Sequence, residues 1–361
     1  MSSASLGDPG LGRSISKHNA AFPLINTSYD HHTTLDAMVS QRLRLLGALL
    51  ALAIPTIHLL RRITTARRRK LASAERVLIL GASSGVGHAI ARQYARRGAR
   101  VCVVARRADK ISALAAECSS ISSSSSSNGS GGDNNSCIGV AADLSVVADM
   151  VRLRETIERQ WGGLDTVHVC AGVSALQPVM ALTGAQGKED AAAEGIQDAV
   201  DVTAKAVQGN LYGPMVAALT FIPMLTRTST APAILLVSSM AALVPAPTRG
   251  LYAATKASSL LLYQAMAIEH RDIAFTFILP ATIEGDFRAS AVDSGPVREA
   301  DPNKHGLKIE YVAARCVDAV DKGVRGNVVM PRIPYILAHH MYYIWPSLIE
   351  RAAARKYNFP F

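Results

Sequence analysis

The chain has 361 residues, 49% of them hydrophobic, which suffices for one large domain with appendages, or two small domains, with a fully buried core. A net charge of +10 first suggests nucleic acid or an anionic surface. Arg42, Arg44, Arg61, Arg62, Arg67, Arg68, Arg69 and Lys70 supply most of that excess within one short segment, so the remainder is near balance and a nucleic-acid-binding surface is not expected.

Residues 1–40 are polar, rich in Ser, His and Thr, and aperiodic, and are expected to be a disordered tail. The glycosylation sequon Asn26-Thr27-Ser28 matters only if that tail faces a lumen. Residues 45–60, LLGALLALAIPTIHLL, carry no charge. As a helix this run spans about 24 Å, slightly short of the ~27 Å core of the endoplasmic reticulum bilayer. Arg44 and Arg61 can snorkel at its two ends. Segment 41–73 is therefore expected to be a membrane anchor with a basic flank, the competing reading being a buried soluble helix weakened by Pro55 and His58. A cleaved signal peptide fits less well, because the run starts far from the N-terminus and a basic cluster follows it. Most of the positives follow the run, which places the rest of the chain in the cytosol, with the endoplasmic reticulum as the expected membrane.

From residue 74 short apolar strands alternate with amphipathic helices. Strands are expected at 76–80, 101–105, 138–142, 164–170, 233–238, 273–279 and 327–330. Helices are expected at 88–97, 108–118, 144–161, within 191–225, at 252–270 and at 309–320. Continuous apolar strands in strict β/α alternation imply an α/β fold, a doubly wound parallel sheet covered on both faces, over 74–331. Residues 119–136, SSISSSSSSNGSGGDNNS, cannot build a core and are expected to be a flexible insertion, whose sequons at Asn128 and Asn134 stay unused in the cytosol. Past Pro331, residues 335–350 are aromatic and apolar with polar tips. The extension 332–361 is read either as an interfacial membrane segment or as a helix packed on the domain or on a second subunit. Five scattered cysteines (Cys102, Cys118, Cys137, Cys170, Cys316) show no C-x-x-C spacing, so neither a metal site nor a disulfide framework is expected and a reducing compartment fits.

The chemistry-bearing motifs lie inside 74–331. LGASSGVG, residues 80–87, follows the first strand and opens the first helix. Gly81 permits a tight turn, Gly85 the close approach of a pyrophosphate, and Gly87 helix–strand packing, while the anion meets free N–H groups at the positive helix end. The second strand ends Ala105-Arg106-Arg107, with no acid to hold a ribose 2′-hydroxyl. Two arginines suit a 2′-phosphate instead, so NADP(H) is expected over NAD, with Arg107 the more readily explained as a solvated surface charge. Asp143 either meets the adenine or caps the next helix. In LYAATK, residues 251–256, Tyr252 and Lys256 are four apart and share a helix face, and an ammonium beside a phenol favours the phenolate. A solvated surface pair is the bland alternative.

Taken together, Gly81-x-x-x-Gly85-x-Gly87, Asp143, Ala171-Gly172, Asn210, Ser239, Tyr252-x-x-x-Lys256 and Pro280 resemble the short-chain dehydrogenase/reductase family over about 74–331. The resemblance implies a seven-stranded Rossmann sheet in the order 3-2-1-4-5-6-7, direct hydride transfer and no metal. It assigns Tyr252 as general acid/base and Ser239 to orient the carbonyl. Lys256 is assigned to the nicotinamide ribose and to lowering the tyrosine pKa, and Asn210 to a proton-relay water. Gly81, Ser83, Ser84, Gly85, Val86, Gly87, Arg106, Arg107, Asp143, Leu144, Ala171, Gly172, Pro280 and Ile283 become cofactor contacts, and 286–308 the mobile substrate lid. Three positions depart from the family pattern: Leu80 replaces a threonine, Cys170 an asparagine, and Gly285 stands where a threonine hydroxyl often serves the carboxamide. The anchor and Ala-Arg-Arg together are similar to the membrane-bound branch acting on steroids, retinoids and other lipid carbonyls, with 3-ketosphinganine reductases a narrower likeness. A catalytically silent nucleotide-binding scaffold is the alternative from another class. Homodimers built on the long helices flanking the fifth strand are usual in the family.

Overall fold

The computed structural model describes residues 75–125, 137–298 and 301–360, together with a few helical residues between 41 and 48. The expected tail 1–40, nearly all of the 45–60 run, and residues 126–136 of the serine-rich segment lie outside the described residues. Among the described residues, no helix is long and apolar enough to cross a membrane. The chain divides into Met1–Arg61 and Arg62–Phe361, and the second unit holds the sheet.

Seven parallel strands form that sheet: β1 (Arg76–Leu80), β2 (Arg100–Ala105), β3 (Cys137–Ala141), β4 (Thr166–Val169), β5 (Ala233–Val237), β6 (Ala274–Pro280) and β7 (Gly326–Met330). Their order is β3-β2-β1-β4-β5-β6-β7, as the family resemblance implied. The centre reads as unbroken apolar runs because both faces are covered: AILLV of β5 and AFTFILP of β6 are buried throughout. The edge strands β3 and β7 are only partly buried.

Side-chain alternation along the strands divides the interior into two cores. Leu78, Leu80, Cys102 and Val104 point to one face, where α3 (Val147–Trp161), α5 (Gly213–Thr228) and α6 (Gly250–Glu269) contribute Leu153, Phe221 and Tyr263. Val77, Ile79, Val101 and Val103 point to the other, against Ile90 of α1 (Gly85–Arg96), Leu114 of α2 (Ala108–Ser125) and Val312 of α7 (Ile309–Asp321). A buried polar lattice ties the N-terminal strand ends together: Arg76 pairs with Asp165 (2.9 Å), and Arg97 bridges Glu75 (2.6 Å) and Asp321 (2.8 Å).

Several expected boundaries shift for local reasons. The serine-rich segment is not wholly irregular, since α2 runs on through it to Ser125. The Ser123 and Ser124 hydroxyls donate back to the carbonyls of Ser119 and Ser120, which satisfies polar side chains inside a helix. The single long helix expected within 191–225 is two, α4 (Ala193–Val207) and α5, joined by a π-helical turn, Gln208–Tyr212. Beyond β7, the C-terminal extension folds as α8 (Arg332–Ile344) and α9 (Pro346–Lys356), broken at Trp345 before Pro346. Tyr335 packs against the first core, and Ala354 and Tyr357 are buried.

Candidate active site

At the C-terminal end of β1 the chain turns back through Gly81–Ser84 into α1, and the N–H groups of Gly81 and Ala82 both donate to Val104 O on β2 (2.8 and 3.1 Å). Gly81 sits at φ +90°, and a Cβ there would meet Ala171 N at 2.5 Å, so this turn and the Ala171-Gly172 loop are built around the missing side chain. A Cβ on Gly87 would come within 2.4 Å of Gly81 O, which is the close helix packing expected of it. Gly85 differs: it lies at φ +59° with open space around its Cβ position. That leaves room for a ligand to approach the first turn of α1, where Ser84 makes no side-chain cap.

The two arginines after β2 are not equivalent. Arg107 Nη2 donates to Ser83 Oγ (2.8 Å) and Ser84 Oγ (3.3 Å), holding a guanidinium over the glycine turn, whereas Arg106 is simply exposed. Arg107 is exposed as well, but its guanidinium is bonded to the turn rather than only solvated. Asp143, after β3, accepts from both the N–H and the hydroxyl of Ser145 (2.9 and 2.7 Å), closing a local turn, while α3 begins after Val146 without a side-chain cap. Leu144 is buried in the first core, Val86 packs at the edge of the second, and Pro280 ends β6.

The proton-transfer candidates gather where β4, β5 and α6 meet. Tyr252 is 7% exposed and Lys256, one turn later, 4%, which removes the reading of a solvated surface pair. Lys256 Nζ donates to Val237 O at the end of β5 (3.1 Å), two residues before Ser239. Burial pulls the Lys256 pKa down to about 8, a shift opposed by the neighbouring Cys170. Burial likewise raises the Cys170 thiol to about 12, so it stays protonated beside the lysine. Ser239 begins a short 3-10 turn, Met240–Ala242, and its hydroxyl accepts from Ala241 N (3.2 Å).

Asn210 is fully buried in the π-helical turn and is clamped on both sides of its amide. Val173 N donates to Oδ1 (2.9 Å), while Nδ2 donates to Val173 O (3.0 Å) and Thr255 Oγ1 (3.0 Å). Thr255 lies between Tyr252 and Lys256 on α6, so the amide joins the loop after β4 to the catalytic helix. Gly172 explains the convergence: a Cβ there would sit 2.9 Å from Asn210 Oδ1 and 3.0 Å from Lys256 Nζ. Only a glycine lets the loop, the amide and the ammonium come this close.

Sequence reasoning missed four contributors, namely Val173, Thr255, Arg249 and Phe287. The Arg249 guanidinium lies over the Tyr252 ring (4.6 Å to its centroid), and Phe287 meets that ring edge-on (5.9 Å). Thr255 lies three residues from Tyr252 on α6, and Arg249 three residues before that tyrosine at the start of the helix, a spacing that could have flagged both. Phe287 carries no such signal. Gly285 sits at φ +95°, so the threonine the family pattern suggests would be strained here. A cavity of about 530 Å³ is lined by Leu176, Gly285, Arg288, Ser294, Val297 and Asn303. Ile283 bridges to Leu307, and Asp293 Oδ2 accepts from Leu176 N and Gln177 N (2.6 and 2.8 Å). Among the described residues no cluster of His, Cys, Asp and Glu could hold a metal.

A doubly wound parallel sheet with a glycine turn at the end of its first strand defines a dinucleotide-binding α/β protein. Comparison with known proteins narrows this. Residues 75–294 match the family model described as short chain dehydrogenase. The chain is 31% identical over 255 residues to 11-beta-hydroxysteroid dehydrogenase-like 4A of Arabidopsis thaliana, covering 69% of this chain and 72% of that protein. It is 30% identical over 211 residues to the Arabidopsis 11-beta-hydroxysteroid dehydrogenase-like 3, covering 58% and 59%. Among solved structures, an alcohol dehydrogenase from Thermococcus sibiricus complexed with 5-hydroxy-NADP shares the fold (TM-score 0.55, 22% identity, 71% of this chain and 95% of that one). So does a short-chain dehydrogenase/reductase from Burkholderia phymatum in complex with NAD (TM-score 0.60, 18% identity, 76% and 95%). The chain belongs to the short-chain dehydrogenase family, oxidoreductases that act on CH–OH and C=O groups with a nicotinamide cofactor.

Proposed function

We propose that this protein is an NADP(H)-dependent, membrane-anchored oxidoreductase that interconverts an apolar ketone or aldehyde, of lipid, steroid or retinoid type, and its alcohol. The observation that carries the reading is the convergence of Gly172, Asn210 and Lys256, which keeps a buried ammonium at the end of β5 one helical turn from the buried Tyr252. The open space at Gly85 and the uncapped start of α1 fit a pyrophosphate. Arg107, fixed by two serine hydroxyls, fits a 2′-phosphate better than Arg106 does. Bound in this cleft, the nicotinamide would supply or accept the hydride.

The chain's own residues then handle the proton and the geometry. Tyr252 donates the proton to the nascent alkoxide in reduction, or removes it in oxidation. Lys256 stabilises negative charge on the tyrosine oxygen and Asn210 holds the loop and helix in register, while Ser239 orients the carbonyl oxygen. Phe287 closes against the tyrosine ring and helps exclude water. The apolar substrate class is supported by the steroid dehydrogenase-like names of the relatives and by the uncharged run at 45–60. That run and its basic flank support an endoplasmic reticulum anchor with the catalytic unit in the cytosol. Exposed Leu219, Leu261 and Ile268 on α5 and α6 support a homodimer.

The reading is tested with purified protein, NADPH or NADH, and a panel of steroid, retinoid and long-chain carbonyls. NADPH-dependent conversion of at least one apolar carbonyl is expected. Absence of turnover across the panel in both directions, despite NADPH binding, would leave the silent nucleotide-binding scaffold as the better account.

A further inference from the structure

The last two helices present apolar and aromatic side chains to solvent. Leu337 (59% exposed), His340 and Ile344 (77%) follow one stripe along α8, and Ile333 (78%) is exposed at the kink where the helix begins. Tyr343 (76%) and Trp345 (58%) crown the break into α9, Leu348 is exposed on α9, and Phe359 just past its end. A contiguous apolar ridge of this kind marks a contact surface.

Charge decides what covers it. Within residues 332–361 the cations are Arg332, Arg351, Arg355 and Lys356, against the single acid Glu350. A second copy meeting this ridge across a two-fold axis would set like charge against like charge. An anionic headgroup layer complements it, with the rings of Tyr343 and Trp345 at the depth where amphipathic aromatics settle. The α8–α9 pair is also bonded to two segments that adjoin the candidate site in sequence. His339 Nδ1 lies 3.2 Å from Leu243 O, four residues past Ser239, and Asn358 Nδ2 donates to Arg298 O (2.7 Å), next to Val297 of the cavity lining.

We propose that the α8–α9 hairpin is a peripheral docking element for an anionic lipid surface, inserting Tyr343, Ile344 and Trp345 at the headgroup boundary. The cavity mouth is thereby held against the bilayer from which an apolar substrate partitions. The substrate part rests on the function proposed above, whereas the lipid contact does not depend on turnover.

The chain has two tryptophans, and Trp161 is buried, so Trp345 is a built-in probe. The full-length protein is reconstituted with vesicles of phosphatidylcholine containing a minority of phosphatidylserine, with and without brominated acyl chains. Emission should blue-shift and be quenched by the brominated lipid, with the quenching lost in Trp345→Phe. Replacing Arg351 and Arg355 by Gln should reduce the quenched fraction severalfold. Vesicle-bound protein whose Trp345 emission is unquenched would overturn the proposal, placing attachment elsewhere in the chain. A shift that follows protein concentration without lipid would overturn it in favour of a second copy. Carbonyl turnover measured on the same samples separates this outcome from failure of the enzymatic reading, because Trp345→Phe leaves the catalytic groups intact.

Discussion

Lys256→Met should make the resting protein more stable while abolishing most of its activity. The Lys256 ammonium is buried, and burial lowers its pKa from 10.5 to about 8 even with Cys170 working the other way. At about 1.4 kcal/mol per pKa unit, holding that charge costs the folded state about 3 kcal/mol wherever the group is protonated in both states. Methionine fits a similar volume without charge, but Val237 O loses its donor, which returns about 1 kcal/mol. The variant should therefore gain about 2 kcal/mol at pH 7, a rise in Tm of roughly 4 °C or more. Because the folded pKa lies below the unfolded one, the unfolded chain binds the extra proton between pH 8 and 10.5. Wild-type stability should accordingly climb relative to the variant across that window, and the gap should close above it. Urea titrations of both proteins from pH 7 to the alkaline limit measure this. A variant that is less stable at pH 7, or a gap that ignores pH, would refute the idea that the lysine is held at a cost for function.

Gly172→Ala should lower turnover by roughly a hundredfold and stability by about 1–3 kcal/mol, since its Cβ would crowd Asn210 Oδ1 and Lys256 Nζ; kinetics and denaturation on one preparation show both. Thr255→Val removes the acceptor of Asn210 Nδ2 and should cost about 1–2 kcal/mol with a fall in kcat larger than any change in cofactor Kd. Arg107→Ala should weaken NADPH by tenfold or more while leaving NADH nearly unchanged, and Arg106→Ala should do less; fluorescence titration of both nucleotides checks the order.

The sheet was legible because its strands are buried on both faces and its turns are punctuated by glycine, so the apolar runs stand out against polar connections. Strand order came from the family likeness rather than from periodicity. The glycine turn was legible in the same way, in the tight turn at Gly81 and the close packing at Gly87, because both follow from a missing Cβ. What the sequence hid depends on contacts between distant segments. Nothing in residues 191–225 announces that one turn opens into a π-helix around Asn210, since that geometry answers to Val173 and Thr255. Arg106 and Arg107 look interchangeable until the turn brings Ser83 and Ser84 beneath one of them. Phe287 lies in a segment without periodicity and reaches Tyr252 only through the tertiary fold. Gly285, read as a lost hydroxyl, is a backbone requirement at φ +95°.

The central claim is that Tyr252 transfers the proton in an NADP-linked carbonyl reaction. Its most direct test is single-turnover NADPH oxidation with a converted apolar carbonyl, comparing wild type with Tyr252→Phe at matched cofactor occupancy. The account predicts unchanged NADPH binding and a rate reduced by about a thousandfold in the variant. Equal single-turnover rates in the two proteins would contradict it.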